Sequence, residues 1–265
     1  MSTRASEASL AGLADDLSLA IAMADVADAI TMDRFGSDSL QVETKADLTP
    51  VTDADRSTEQ ALRELLAKHR PGDAILGEEF GSTDDSNSRQ WILDPIDGTK
   101  NYLRGVPVWA TLIALSINGL PVLGVVSAPA LARRWWAAVG SGAWVSANTH
   151  PPIALRVSQI EALSMASLSY SDAVGWTAGT LEGLLSSTYR QRAYGDFWSH
   201  MLVAEGAVDI AAEPELGRWD MAALIPIVRE AGGAATAFDG TDPMTSGSLL
   251  STNSRLHDQV KELLH

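Results

Sequence analysis

The chain predicts a mixed fold, α+β passing into α/β, built as stacked layers of helices and sheets. Three observations predict it. Two helical patterns open the sequence, signals for antiparallel hairpins follow, and beyond Ile153 strand-like and helix-like runs alternate. At 265 residues, 46% hydrophobic and 20% charged, the chain buries a sizeable core, whether as one large domain or as two small ones packed together.

Leu10, Leu13, Leu17, Ile21 and Ala24 space apolar side chains along a first long helix ending near Phe35-Gly36. A polar connection, Ser37 to Pro50, leads to a second helix starting at Thr52 or Asp53 and turning Leu62, Leu65 and Leu66 inward. Arg70-Pro71-Gly72 stops that helix. Short β-like runs follow at Ala74 to Leu76, Trp91 to Leu93 and Thr111 to Ile117. Asn118-Gly119 joins the last of these to Pro121 to Ser127 as a hairpin, and Gly140-Ser141-Gly142 joins Arg134–Val139 to Ala143–Ser146. The Pro-Pro pair in Asn148 to Ile153 marks a boundary, giving an N-terminal α+β half, 1–148, and a C-terminal α/β half, 149–265. In the second half, strands are expected at 165–169, 189–193, 208–212, 234–238 and 249–251. Helices are expected near 179–187, 197–205, 219–231 and 254–264. Pro226 falls inside the third of these helices, where proline costs about 3 kcal/mol, so a kink or a shortened helix is expected.

Thirty-four acidic against 19 basic residues give a net charge of −15, which disfavours nucleic acid and anionic membranes as partners. The longest uncharged stretch, Val106 to Ala132, is broken by Asn118-Gly119 and by prolines and reads as a hairpin, not a membrane span. The first thirty residues carry several acids and no basic-then-apolar pattern, so a cytoplasmic protein is expected. Cysteine is absent from the sequence, which removes thiolate ligands and thiol nucleophiles.

The most informative segment is Trp91-Ile92-Leu93-Asp94-Pro95-Ile96-Asp97-Gly98-Thr99-Lys100-Asn101. An apolar strand delivers Asp94, Pro95 stiffens the turn, and Asp97 follows three residues later. Two carboxylates in a tight turn suit a hard, oxygen-seeking cation such as Mg2+, and backbone N–H groups at Gly98-Thr99 suit a phosphate oxygen. Asp-Pro and Asp-Gly are also ordinary turn formers. Three further acids give the segment company: Glu78 in Leu76-Gly77-Glu78-Glu79 at the mouth of a strand, Asp220 after Trp219, and Asp53 at the start of the second helix. Each alone reads equally as a solvated loop charge or a helix cap.

Together these motifs resemble the inositol monophosphatase superfamily. The resemblance rests on Gly77-Glu78-Glu79, Asp94-Pro95-Ile96-Asp97-Gly98-Thr99, Trp219-Asp220 and Arg229-Glu230-Ala231-Gly232-Gly233, and it runs over roughly 10–260. It implies an αβαβα layered sandwich and a magnesium-dependent phosphomonoesterase with two or three Mg2+ per active site, Mn2+ being an alternative. One metal would be held by Glu78, Asp94 and the backbone carbonyl of Ile96. A second would be held by Asp94, Asp97 and Asp220, and Glu78 would also serve a third, weaker site. Asp97, Gly98 and Thr99 would seat the phosphate. Thr99, linked to Asp53, would help Glu78 activate the attacking water. The family is often dimeric, so a homodimer is expected. The segment 37–52, with Lys45 and Asp47, resembles the family's mobile active-site loop.

Within the superfamily, Gly98 to Tyr102, Arg104 to Trp109, Arg133 to Trp136 and Arg192 to Phe197 are similar to the actinobacterial-type histidinol-phosphate phosphatases. The resemblance implies a small phosphorylated metabolite as partner, L-histidinol phosphate, in histidine biosynthesis. The leaving alcohol carries an ammonium and an imidazole, to which Asp196 and Glu213 offer carboxylates if they face the site. Arg192 and Asp220 complete the expected substrate contacts. Asp196 also reads as a helix cap, Glu213 as a loop acid and Arg192 as a surface position. The alternatives are an inositol monophosphatase or broad small-metabolite phosphatase, and a non-catalytic metal-binding member. None of the five histidines has ligand spacing, and none is assigned a catalytic role. Packing is the expected role of the tryptophans, and adjacent Trp135 and Trp136 should point to opposite sheet faces.

Overall fold

A computed structural model describes residues 12–37, 40–44, 50–84, 86–147 and 150–264. Helix α1 (Leu13–Arg34) buries Ala20, Met23, Ala24, Ala27 and Thr31, small side chains that let it lie close on a sheet. Leu17 and Ile21 pack at the margin of this stripe, while Leu10, Lys45 and Asp47 lie outside the described residues. Strands β1 (Val42–Thr44) and β2 (Pro50–Thr52) pair antiparallel and lead into helix α2 (Asp53–His69). Thr52 caps α2: its hydroxyl accepts from the N–H groups of Ala54 and Asp55, and Asp55 accepts from the Thr52 N–H at 2.8 Å.

Strands β3 (Ala74–Gly77), β4 (Gly81–Ser82) and β5 (Arg89–Asp97) follow, then the short helix α3 (Thr99–Leu103). Next come β6 (Ala110–Ile117), β7 (Leu120–Ala128), β8 (Arg133–Ala138), β9 (Ala143–Ala147) and β10 (Ile153–Ala154). Among the described residues they form one sheet in the order β10-β9-β8-β7-β6-β5-β3-β4. Both residues of the Asn118-Gly119 turn have positive φ, 53° and 79°, as a tight two-residue hairpin requires. Only the β3–β5 pairing in this sheet is parallel, and that exception makes the site. With Gly77 opposite Leu93, the residues that follow, Glu78 and Asp94, emerge side by side at one end of the sheet.

The second sheet takes β11 (Ser167–Ser169), β12 (Arg190–Arg192), β13 (Ile210–Glu213), β14 (Ala234–Thr236) and β15 (Leu249–Thr252) in the order β12-β11-β13-β15-β14. Its pairings are parallel around β11 and antiparallel around β15. Between the sheets lie α5 (Asp196–Ala204), α6 (Arg218–Ala222) and α7 (Leu224–Glu230); α4 (Thr180–Ser187) and α9 (His257–Leu264) cover the outer face of the second sheet. The layers therefore run αβαβα, as the resemblance implies. The short α8 (Pro243–Ser246) completes the helices named here.

The single helix expected over 219–231 is two helices broken at Ala223. Pro226 explains the break: its ring displaces the carbonyl four residues back, but it is tolerated in the first turn of a new helix. Gly124 on β7 meets this junction directly. A Cβ there would stand 2.1 Å from the Ala223 carbonyl oxygen, so only glycine lets the α6–α7 junction reach the sheet. The first sheet continues past residue 148 to Ile153–Ala154, and the inner core draws on both halves, joining Trp135 and Val126 to Phe197, Met221 and Leu224. Trp135 is buried in that core while Trp136 packs toward the α1 side.

Candidate active site

The main cavity, about 530 Å3, opens where the C-terminal ends of β3 and β5 face the starts of α3, α5 and α6. Glu78, Asp97, Gly98, Thr99, Asp196, Glu213 and Asp220 all line it. Sequence positions more than a hundred residues apart thus share one wall.

The metal-fit acids come from three elements. Asp94 ends the regular part of β5, where pairing to β6 runs in register to Leu112 and then shifts before Asp97. This irregularity sets Asp97 in the cavity wall and Asp94, buried, within reach of it. It is held by the Thr111 hydroxyl donating to the Pro95 carbonyl at 2.8 Å and by the Ile96 N–H donating to Asp94 at 3.0 Å. Asp220, in the first turn of α6, accepts from the Gly217 N–H at 2.7 Å. One carboxylate oxygen from each of Asp94, Asp97 and Asp220 lies within 4.8 Å of the others. Glu78 enters beside Asp94, its N–H donating to the Leu93 carbonyl at 3.2 Å. Gly77 is needed just before it, because a Cβ would overlap the buried Glu59 carboxylate, which accepts from the N–H groups of Glu79 and Phe80.

Like charges gathered out of water resist ionisation. Burial first, then Glu78, Asp97 and Asp220, hold Asp94 well above the usual carboxylate range. Burial and then Asp196 and Asp220 do the same to Asp97, against the Phe197 N–H that stabilises its anion at 2.8 Å. Burial carries Asp220 to about 7. A cluster of this kind is unfavourable as bare anions, and an oxygen-only donor set compensates best with a hard divalent cation.

Two expected residues lie elsewhere. Asp53 occupies the first position of α2 and points outward, where it accepts from Arg34 at 2.6 Å and from the Gln41 N–H at 3.1 Å. The Thr99 hydroxyl does not meet it; it donates to the Ile96 carbonyl at 3.0 Å. Asp55, two residues later in the helix phase, is the buried acid behind the site. Burial raises it to about 7, with Glu79 and Glu78 adding to the rise, and its Oδ1 has no hydrogen-bond partner among the described residues. Arg192 is the other correction. It sits exposed on the edge strand β12, donates to the Gln191 carbonyl and is not part of the cavity wall.

Asp196 and Glu213 do face the cavity. Burial lifts Asp196 to about 6 against the pull of Lys100, and it lifts Glu213 to about 8. Ser171 ties them together: its hydroxyl donates to Glu213 at 2.7 Å and accepts from the Asp196 N–H at 2.8 Å. Asn101 holds the other side of Asp196 by donating to its carboxylate at 2.9 Å. His200 forms part of the cavity floor, with Nδ1 against the Ser251 hydroxyl at 2.8 Å; burial depresses it to about 3, so it stays neutral. Sequence reading missed Asp55, Asn101 and Ser171. For Asp55 the signal was present, since Thr52-Asp53-Ala54-Asp55 has capping-box spacing.

The sequence matches the inositol monophosphatase family over residues 13–265. It is 56% identical to the histidinol-phosphatase of Mycobacterium tuberculosis over 250 residues, covering 93% of this chain and 96% of that protein. It is 53% identical to the histidinol-phosphatase of Streptomyces coelicolor over 254 residues, covering 93% and 95%. Among solved structures, the Thermotoga maritima IMPase superposes with a TM-score of 0.84 at 31% identity, covering 94% of this chain and 96% of that one. The family is one of metal-dependent phosphatases, and the cluster of Asp94, Asp97 and Asp220 has the oxygen donors such a reaction requires. The chain belongs to the inositol monophosphatase family.

Proposed function

We propose that this protein hydrolyses L-histidinol phosphate to L-histidinol and phosphate with Mg2+, or Mn2+ in its place. One observation carries the reading: a single cavity joins the metal-fit acids to a second acidic wall, Asp196 and Glu213, of the kind a cationic leaving group needs. The two relatives named histidinol-phosphatase support it by their identity across nearly the whole chain.

Glu78, Asp94, the Ile96 carbonyl, Asp97 and Asp220 would hold the metal. When bound, the metal supplies neutralisation of the phosphate and a water acidic enough to attack. The remaining work belongs to the chain. Gly98, at φ 84°, turns the backbone so that the Gly98 and Thr99 N–H groups can receive phosphate oxygens. Glu78 takes the proton of the attacking water. Asp196 and Glu213 accept hydrogen bonds from the ammonium and imidazole of the alcohol. Meeting that cation lowers both acids toward the ionised form, the reverse of their burial shift.

The test is phosphate release by purified protein in Mg2+ from L-histidinol phosphate and from inositol 1-phosphate. A site that reads polar groups rejects an analogue lacking them by about a hundredfold or more, and that preference for histidinol phosphate is the expected kcat/KM ratio. A higher kcat/KM on inositol 1-phosphate overturns the reading.

A further inference from the structure

Asp196 begins α5 in a backbone conformation that an L-residue other than glycine adopts at a cost, with φ 49°. Two bonds hold it there. The Ser171 hydroxyl accepts from its N–H, and the Asn101 amide donates to its Oδ2 at 2.9 Å. The same Asn101 nitrogen donates to the Val108 carbonyl at 3.0 Å, which ties the amide to the loop after α3. Gly98 lies against both ends of this link: a Cβ there would stand 2.9 Å from the Val108 oxygen and 3.4 Å from Asp196 Oδ2. Asn101 therefore links the metal-and-phosphate turn to the first residue of α5, beside the bond from the Phe197 N–H to Asp97. Asn101 sits only four residues after Asp97, while its partner Asp196 is 95 positions away.

We infer that Asn101 is a positioning residue for substrate choice, holding the Asp196 carboxylate at the angle that receives a cationic leaving group. This rests on the proposed reaction. Its amide N–H takes Oδ2 of Asp196, and Asp196 lines the cavity. The strained φ is the mark of a side chain held for a purpose that the helix itself does not need, because a glycine at this position would relieve it.

The experiment is a double-mutant cycle in Mg2+ with two substrates, L-histidinol phosphate and the neutral ester glycerol 2-phosphate. Asn101→Ala is expected to raise KM for histidinol phosphate about tenfold, with kcat lowered less than about threefold, because one charge-assisted contact is misaimed. Glycerol 2-phosphate should lose no more than about threefold in kcat/KM. Asp196→Asn should reproduce the KM rise, and the double variant should be no worse than the poorer single one, because both act through one contact. If Asn101→Ala does not fold, Asn101→Asp keeps the size and sets a second carboxylate against Asp196, with a larger KM rise expected. Equal losses on both substrates, or fully additive effects, overturn the inference while leaving the proposed reaction standing. A wild-type preference for inositol 1-phosphate removes the reaction and this inference with it.

Discussion

Asp97→Asn lowers kcat by about a thousandfold or more while the protein stays folded. The amide keeps the shape and still accepts from the Phe197 N–H, so the contact between β5 and α5 survives. What is lost is the negative charge that completes the donor set with Asp94 and Asp220. The same change removes repulsion, since burial, Asp196 and Asp220 all oppose the Asp97 anion. In chelator, the variant should therefore melt at or above the wild-type temperature. Phosphate release and thermal denaturation are the two readouts. Near-normal turnover removes Asp97 from the metal centre, and a collapsed fold removes the claim that its charge serves chemistry instead of packing.

The metal-free protein should lose stability as pH rises from about 5 to 8. The sign follows from the direction of the shifts. Asp55 and Asp220 at about 7, and Glu213 at about 8, are held above their unfolded values by burial first and by neighbouring carboxylates. Asp94 and Asp97 are raised in the same direction. A carboxyl raised in this way contributes stability below its unfolded value, near 4, and that contribution is lost as pH climbs through the folded value. Each unit of displacement corresponds to about 1.4 kcal/mol for an isolated group, and interacting acids share their protons, so the total is less than a simple sum. Saturating Mg2+ binds the deprotonated cluster and should flatten or reverse the slope. Melting temperature against pH, with chelator and with Mg2+, checks it. A melting temperature that climbs with pH in chelator contradicts the electrostatic account of the site.

Much of the site was legible because the chemistry lies in short local motifs. Asp94 and Asp97 are read from a strand followed by Asp-Pro-x-Asp-Gly, and the structure adds the register that sets Glu78 beside them. Asp220 is read from its place before a helical run, and the break at Ala223 follows from Pro226. Hairpins at Asn118-Gly119 and Gly140–Gly142 also follow from local turn chemistry.

The failures have a common cause. Asp53 and Asp55 both sit in the first turn of one helix, and which of them faces inward depends on helix phase. Thr52 sets that phase by capping Asp55, which turns Asp53 toward Arg34. Arg192 lies near Asp196 in sequence, but β12 ends at Arg192 as an edge strand, and the chain must turn before the cavity begins. Asn101–Asp196 and Ser171–Glu213 join separate segments, and no spacing within either segment announces the partner. The mixed pairing of the second sheet is hidden for the same reason: alternating runs mark helices and strands but not the direction of β15.

The most direct measurement is phosphate release from L-histidinol phosphate by protein stripped with excess chelator and then given Mg2+. The acid cluster as metal centre predicts no turnover above background after stripping and full recovery on addition of Mg2+. It also predicts no recovery in Asp97→Asn. Turnover that persists in excess chelator would contradict it.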